Sequence, residues 1–434
     1  MGKLAVNGGE KVRKELFPAY RYIGVEEEKA VVEVIRSGVL SKFIGGWHKD
    51  FYGGPQVQAL EKEWASYVGA KHAIAVNSAT AGLYAAVGAA GVSPGDEVIV
   101  SPYTMSASAT AAVVYGAVPV FADIEEDYYC IDADSVEERI TERTRAIVVV
   151  DIFGLPYDVE RINAIAKKHN LIIIEDAAQA PGARYKGKSA GTLGDMGVYS
   201  LNYHKHIHCG EGGIVVTDDD LLADKLRLIR NHAESVVEGM GFSDLVNMVG
   251  FNYRMTEIEA AIAREQLKKL DSLTDERIRN IGYITEKLSQ IPCLKPAKVR
   301  EHCRHVFYKH AITFDMEKAG VSREKFLEAV KAELTPIELR EDEGINISGG
   351  YVKPIYLMPM YQKLTAFGKQ GYPFKSPYYS GKADYSKGIC PVCEKMHFEA
   401  LISHEYIRPP MTRDDLDDFV KAFEKVWENR GELK

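Results

Sequence analysis

The sequence predicts an α/β fold: a three-layer sandwich with a mostly parallel sheet covered on both faces, followed by a smaller C-terminal α+β domain. Three observations predict it. Between residues 72 and 217, short apolar runs alternate with helical patterns at near-regular spacing, the order that βαβ units produce. The short runs are almost continuously apolar, as strands buried on both faces are. The chain has 434 residues, 46% of them hydrophobic, enough for a large core and more than one domain.

Taken in order, residues 1–50 read as an N-terminal arm with one amphipathic helix, Glu26–Ser37. Gly45-Gly46 and Gly53-Gly54-Pro55 mark loops. The next helix, Val57–Val68, places Val57, Leu60, Trp64 and Val68 on one face. Strands then fall at His72–Val76, Glu97–Val100, Val118–Ala122, Ala146–Asp151 and Leu171–Glu175. Helices fall between them at Thr80–Ala90, Ser106–Tyr115, Ser135–Ile140 and Val159–His169. Two further strands, Met196–Ser200 and Gly213–Thr217, precede a helix over Asp218–Arg230 and a loop over 233–250. Thr256 with Glu259 forms a capping box; the helix it starts is expected to reach Leu270, with a separate helix over Asp275–Gln290. Phe307–Phe314 and a helix over Ser322–Leu334 begin the second domain, so the expected division is 1–280 and 281–434. Residues 340–385 read as an aromatic-rich loop, and an amphipathic helix, Thr412–Asn429, ends the pattern.

The formal net charge is −8, unlike a basic nucleic-acid surface. No run of 18 apolar residues occurs, so no membrane span is expected. Met1–Val6 lacks the apolar region of a signal peptide, and a cytoplasmic enzyme is expected. The six cysteines are scattered and are expected to be reduced. Cys390 and Cys393 have CxxC spacing but stand alone, and read as a structural coincidence.

The chemistry is expected around the turn from Ser200 to Gly213. Lys205 sits there between two apolar strands. A buried lysine is costly unless it is paired or used, and a desolvated amine is what attack on a carbonyl requires. His204, His206, His208 and Cys209 offer a rival metal reading. Zinc sites usually take i,i+4 pairs on a helix, or two Cys/His pairs; no second pair has a familiar spacing, and no metal is expected. Two more sites adjoin strand ends. Asn77-Ser78-Ala79-Thr80 opens a helix and reads either as an N-cap or as an anion site. Asp176 ends a strand, where it could pair with a pyridinium nitrogen or hold a metal. Together, a phosphate site, a ring-pairing acid and an isolated lysine describe a pocket for pyridoxal 5'-phosphate.

The stretches Asn77–Leu83, Pro94–Ile99, Pro119–Asp123, Glu175–Gln179, Lys205–Gly213 and Asn252–Glu257 resemble the fold-type I, pyridoxal-phosphate-dependent sugar aminotransferases of the DegT/StrS group, in that group's order and spacing. The resemblance implies that Lys205 holds the cofactor and moves the proton, and that Asp176 pairs with its ring nitrogen. It implies that Ala79, Thr80 and Ser200 bind the phosphate, with Ser78 among the cofactor-binding residues. Gln179 would lie near the phenolic oxygen and Ala178 on one ring face. Met105 stands where the group has an aromatic residue on the other face, with Tyr103 close by. Asn252 would reach the phosphate of a partner subunit in a homodimer with shared sites, although spacing alone leaves a local helix-entry loop open. Arg230, Tyr253, Arg254 and Tyr356 are the candidate substrate-binding residues, Tyr356 replacing a histidine of the group. The implied reaction moves an amino group from L-glutamate or L-glutamine to a keto-sugar, nucleotide-linked as in most of the group, through the pyridoxamine 5'-phosphate form. Rival readings are a keto-cyclitol or free keto-sugar aminotransferase, a sugar 3-dehydratase, and a non-catalytic relative.

Overall fold

A computed structural model describes residues 3–433. Its centre is a seven-stranded sheet of β1 (His72–Val76), β2 (Glu97–Val100), β3 (Val118–Phe121), β4 (Thr144–Val150), β5 (Ile172–Asp176), β6 (Met196–Ser200) and β7 (Gly213–Thr217). The strand order is β1-β7-β6-β5-β4-β2-β3. The pairs from β3 through β6 are parallel. β7 is antiparallel to both neighbours, so it alone runs against the sheet. Nearly every residue in these strands is buried, which accounts for their unbroken apolar sequences.

Helices α1 (Val25–Ser37), α2 (Pro55–Val68), α3 (Ala79–Ala89), α4 (Ala107–Val114), α5 (Ala133–Arg139), α6 (Val159–His169) and α7 (Asp220–Arg230) accompany the strands. Their starts are locally encoded: Ser78, Asp132, Asp158 and Asp219 each accept a backbone N–H of the first turn. α8 runs unbroken from Glu257 to Leu288, not as two helices parted near residue 272. Asp271-Ser272-Leu273-Thr274 contains neither Gly nor Pro, and buried Leu270, Leu273, Thr274 and Arg277 continue one face through it. The expected 280/281 division falls inside this helix.

A second sheet is antiparallel, with β8 (Leu294–Pro296), β9 (His310–Phe314), β10 (Ile347–Gly349) and β11 (Leu401–His404) in the order β8-β9-β11-β10. With α9 (Arg323–Glu333) and α10 (Arg413–Glu428) it encloses a second core. Two connections depart from simple chain order. Leu4 and Phe17 of the arm pack into this second core. The stretch read as a loop over 340–385 contains β10 and short helical turns at Ile355–Leu357 and Pro359–Gln362, and it buries Tyr356, Tyr361, Phe374 and Tyr385 in the main core around Phe121. Cys390 and Cys393 are free and buried. The N–H groups of Val392 and Cys393 donate to the Asp123 carboxylate at 2.8 and 2.9 Å, which fastens this segment to the end of β3. Among the described residues no helix is long and apolar enough to cross a membrane.

Candidate active site

The carboxyl ends of β1, β5 and β6 meet where β7 reverses direction, and ligands bind at such ends in open α/β sheets. A cavity of ≈ 450 Å³ opens there, with Ser78, Ala79, Thr80, Met105, Asp176, Ala178, Ser200 and Lys205 in its wall. Eight residues singled out from scattered stretches of sequence are thus neighbours in space.

One end of the cavity is the start of α3. Ser78 Oγ accepts the Ala81 N–H at 3.1 Å, which leaves the N–H groups of Ala79 and Thr80 without an intrahelical partner. The start of β7 lies tight against this turn: a Cβ on Gly213 would stand 2.6 Å from the Ser78 carbonyl carbon and 2.7 Å from the Ala79 nitrogen. Only glycine permits that approach. Ser200 adds a hydroxyl at the end of β6.

The middle is Asp176. The Ser108 hydroxyl donates to its Oδ2 at 2.7 Å, and the Ala178 N–H donates to Oδ1 at 3.2 Å. Burial pushes this carboxyl above its ordinary range, and Ser108, Ala178 and the Lys205 charge oppose the shift. Ser108 was not legible as a site residue; it is one more small residue in an alanine-rich helix.

Lys205 occupies the β6–β7 turn and is 9% exposed. Its Nζ lies over the Tyr308 ring, 4.4 Å from the centroid, a cation–π contact. Burial brings its pKa down to about 8, partly opposed by Asp176. The turn's histidines part ways: His204 lines the cavity, His206 is buried with Nε2 3.0 Å from the Val306 carbonyl oxygen, and the His208 N–H points to Gln266. Among the described residues, no group of three His, Cys, Asp or Glu side chains is disposed to hold a metal ion.

Other expected site residues lie elsewhere. Tyr103 is fully buried behind the wall; its hydroxyl accepts the Tyr351 N–H at 2.8 Å. Tyr351 itself, with Tyr308, Tyr84, Asn202 and Glu211, lines the cavity. Gln179 stands one bond away, donating to the Tyr351 hydroxyl at 3.2 Å and accepting the Phe153 N–H at 2.8 Å. Arg230 is fully buried and paired with Glu61 at 2.6 Å, so it holds α7 to α2 and lies outside the cavity wall. Tyr356 is buried with its hydroxyl on Glu394 at 2.6 Å. Neither side chain lines the cavity. Asn252, Tyr253 and Arg254 do not line the cavity of their own chain. Their loop lies beside Asn77, whose N–H donates to the Tyr253 carbonyl at 2.8 Å, and Arg254 donates to Asn231 Oδ1 at 2.9 Å.

The donor set fits pyridoxal phosphate. Free helix-start N–H groups and two serine hydroxyls suit a phosphate, a buried carboxylate suits a pyridinium nitrogen, and a desolvated lysine suits a carbonyl carbon.

The model of the DegT/DnrJ/EryC1/StrS aminotransferase family matches residues 23–374. A spore coat polysaccharide biosynthesis protein of Bacillus subtilis is 35% identical over 410 residues, covering 93% of this chain and 95% of that protein. GDP-perosamine synthase of Caulobacter vibrioides is 38% identical over 317 residues, covering 72% and 80%. The crystal structure of DesI in the presence of its TDP-sugar product has a TM-score of 0.80 at 26% identity, covering 99% of this chain and 97% of that one. With its fold-type I architecture, the chain belongs to the DegT/DnrJ/EryC1/StrS aminotransferase family and is a pyridoxal-phosphate-dependent transaminase.

Proposed function

We propose that this transaminase moves an amino group from L-glutamate or L-glutamine to the ketone of a nucleotide-linked sugar, as a cytoplasmic homodimer with shared sites. The observation that carries the reading is the single cavity in which Lys205, Asp176 and the α3 anion cradle converge. When bound, pyridoxal phosphate supplies the carbonyl that accepts the donor's nitrogen and the electron sink for the proton shift. Ala79 and Thr80 N–H groups with the Ser78 and Ser200 hydroxyls hold its phosphate. Asp176, oriented by Ser108, holds a proton on the ring nitrogen. Ala178 and Met105, both in the cavity wall, would cover the cofactor's ring. Lys205 is the amine that holds the cofactor, and with a pKa of about 8 its Nζ can both take and give a proton near neutral pH.

The names GDP-perosamine synthase and DesI with its TDP-sugar product support a nucleotide-linked acceptor. So does the open rim, where Met105 and Tyr203 are each 53% exposed, leaving room for a large group outside the cavity. The aromatic stretch from Tyr361 to Cys390 is what favours a keto-cyclitol, yet none of it lines the cavity. The test offers the amine-loaded enzyme a panel of GDP- and TDP-linked keto-sugars, free keto-sugars and keto-cyclitols. Return of the yellow colour with a nucleotide-linked ketone alone is expected. Turnover confined to a free sugar or cyclitol refutes the acceptor. Loss of the visible absorbance in Lys205→Ala is expected beside it.

A further inference from the structure

Glu405 follows β11 and is 4% exposed, yet it meets three cations. Lys309 Nζ lies 2.8 Å from Oε1, Arg340 Nη1 2.8 Å from Oε2, and Arg408 Nη2 2.5 Å from Oε2. Arg340 also pairs with Glu343 at 2.5 Å. Arg408 is itself 4% exposed. A buried cluster of this kind contributes little net stability, because desolvation offsets the attraction. Neither Glu405 nor any of its three cations lines the cavity, so contact with the substrate does not account for them either.

The geometry points to another use. The same Arg408 Nη2 donates to the His204 carbonyl at 3.0 Å. That carbonyl belongs to the peptide group whose nitrogen is Lys205. The Lys205 N–H in turn donates to the Asn202 carbonyl at 2.9 Å. The peptide group is planar, so bonds at its two ends fix the plane from which the Lys205 side chain departs. Arg408 adjoins Ile407 and Tyr406 of the second core, whereas Ile207 and Leu201 of the turn belong to the main core. The guanidinium therefore ties the two cores together one residue from the amine.

We propose that Arg408, held by Glu405, is a positioning residue for Lys205: it pins the His204–Lys205 peptide plane and keeps a fixed positive charge at that peptide. The charged and titratable groups acting on that amine are Asp176 at the end of β5, Glu405 and Arg408 after β11, and neighbouring His206, with the Tyr308 ring beneath it. Arg408 disfavours the ammonium, whereas Asp176 and Glu405 favour it. Burial raises the Glu405 carboxyl, but Arg408, Lys309 and Arg340 outweigh it and hold the group well below the usual carboxylate range, so replacing it with glutamine removes a real charge.

The inference rests on Lys205 as the cofactor lysine, and two measurements keep the questions apart. Borohydride reduction of the holoenzyme followed by peptide mapping identifies the cofactor lysine. The pH dependence of Lys205 reductive methylation in cofactor-free protein, read by mass spectrometry, tests Arg408 with no cofactor involved. Arg408→Gln is expected to raise the methylation midpoint by about half a unit or more, and Glu405→Gln to lower it, since fixed charges shift a buried amine in opposite senses. The pH titration of the holoenzyme's visible absorbance should move the same way. Arg408→Lys, which keeps the charge and loses the fork, is expected to hold the midpoint while changing the visible circular dichroism of the bound cofactor. Midpoints that stay at the wild-type value, or that move in one direction for both Gln variants, overturn the proposal. If Arg408→Gln does not fold, the fall in Glu405→Gln and the changed dichroism in Arg408→Lys are the deciding results, and absence of both overturns it.

Discussion

Replacing Lys205 with methionine should make the cofactor-free protein more stable at neutral pH, even though it removes the central residue of the site. Burial lowers the lysine from its ordinary 10.5 to about 8. At 1.36 kcal/mol per pKa unit, that shift corresponds to a ceiling of about 3 kcal/mol; the open wall of the cavity lets water reach the amine, and about 2 kcal/mol is the expectation. The sign follows from proton binding. Above 10.5 the amine is neutral in both folded and unfolded chains, and no penalty exists. As pH falls from 10.5 to about 8, the unfolded chain takes up the proton first and stability is lost. Below about 8 both states are protonated and the penalty is constant. Methionine keeps most of the apolar stem and removes the titration. Urea denaturation of wild type and Lys205→Met, both free of cofactor, at pH 7 and near pH 10 measures the difference. A gain of about 2 kcal/mol at pH 7 that shrinks toward zero at the higher pH is expected. A gain independent of pH, or a wild type more stable at pH 7, refutes the account of Lys205 as a desolvated amine.

If Asp176 pairs with the ring nitrogen as proposed, Asp176→Asn should still bind pyridoxal phosphate but slow the donor half-reaction by about 10²–10³-fold, because that fixed charge is lost; stopped-flow absorbance with L-glutamate checks this, and a rate within a few-fold of wild type removes the role. Mixing inactive Lys205→Ala subunits with inactive Asn252→Ala subunits should restore part of the activity if Asn252 serves a partner's site, as its position outside its own cavity allows; exchange of subunits without recovery, shown by light scattering and assay together, rules this out. Glu61→Gln should cost about 3–5 kcal/mol by leaving buried Arg230 unpaired, with cofactor affinity unchanged once the protein is folded; weakened substrate binding in a fully stable variant would return Arg230 to the active site.

What could be read from the sequence is what a few neighbouring residues decide. The alternation of apolar runs and helical patterns fixes the strands, because a buried parallel strand needs side chains that tolerate burial on both faces. Ser78 and Thr256 mark helix starts because a side-chain oxygen there meets an N–H of the first turn. Ser78, Ala79, Asp176, Ser200 and Lys205 were legible for a related reason: each follows or ends a strand, and strand ends in a doubly covered sheet converge. Tertiary packing alone decided the rest. Tyr103, Arg230 and Tyr356 carry chemically apt groups, yet partners far along the chain, Tyr351, Glu61 and Glu394, take them. Tyr308, Tyr351 and Ser108 enter the site because the segment before β9, the segment after β10 and α4 pack around it, and nothing in their own surroundings in sequence distinguishes them. The arm joins the second core through Leu4 and Phe17, and α8 runs through residue 272 because its buried face finds continuous cover from both cores. These outcomes depend on which surfaces meet across hundreds of residues, a quantity that local periodicity does not contain.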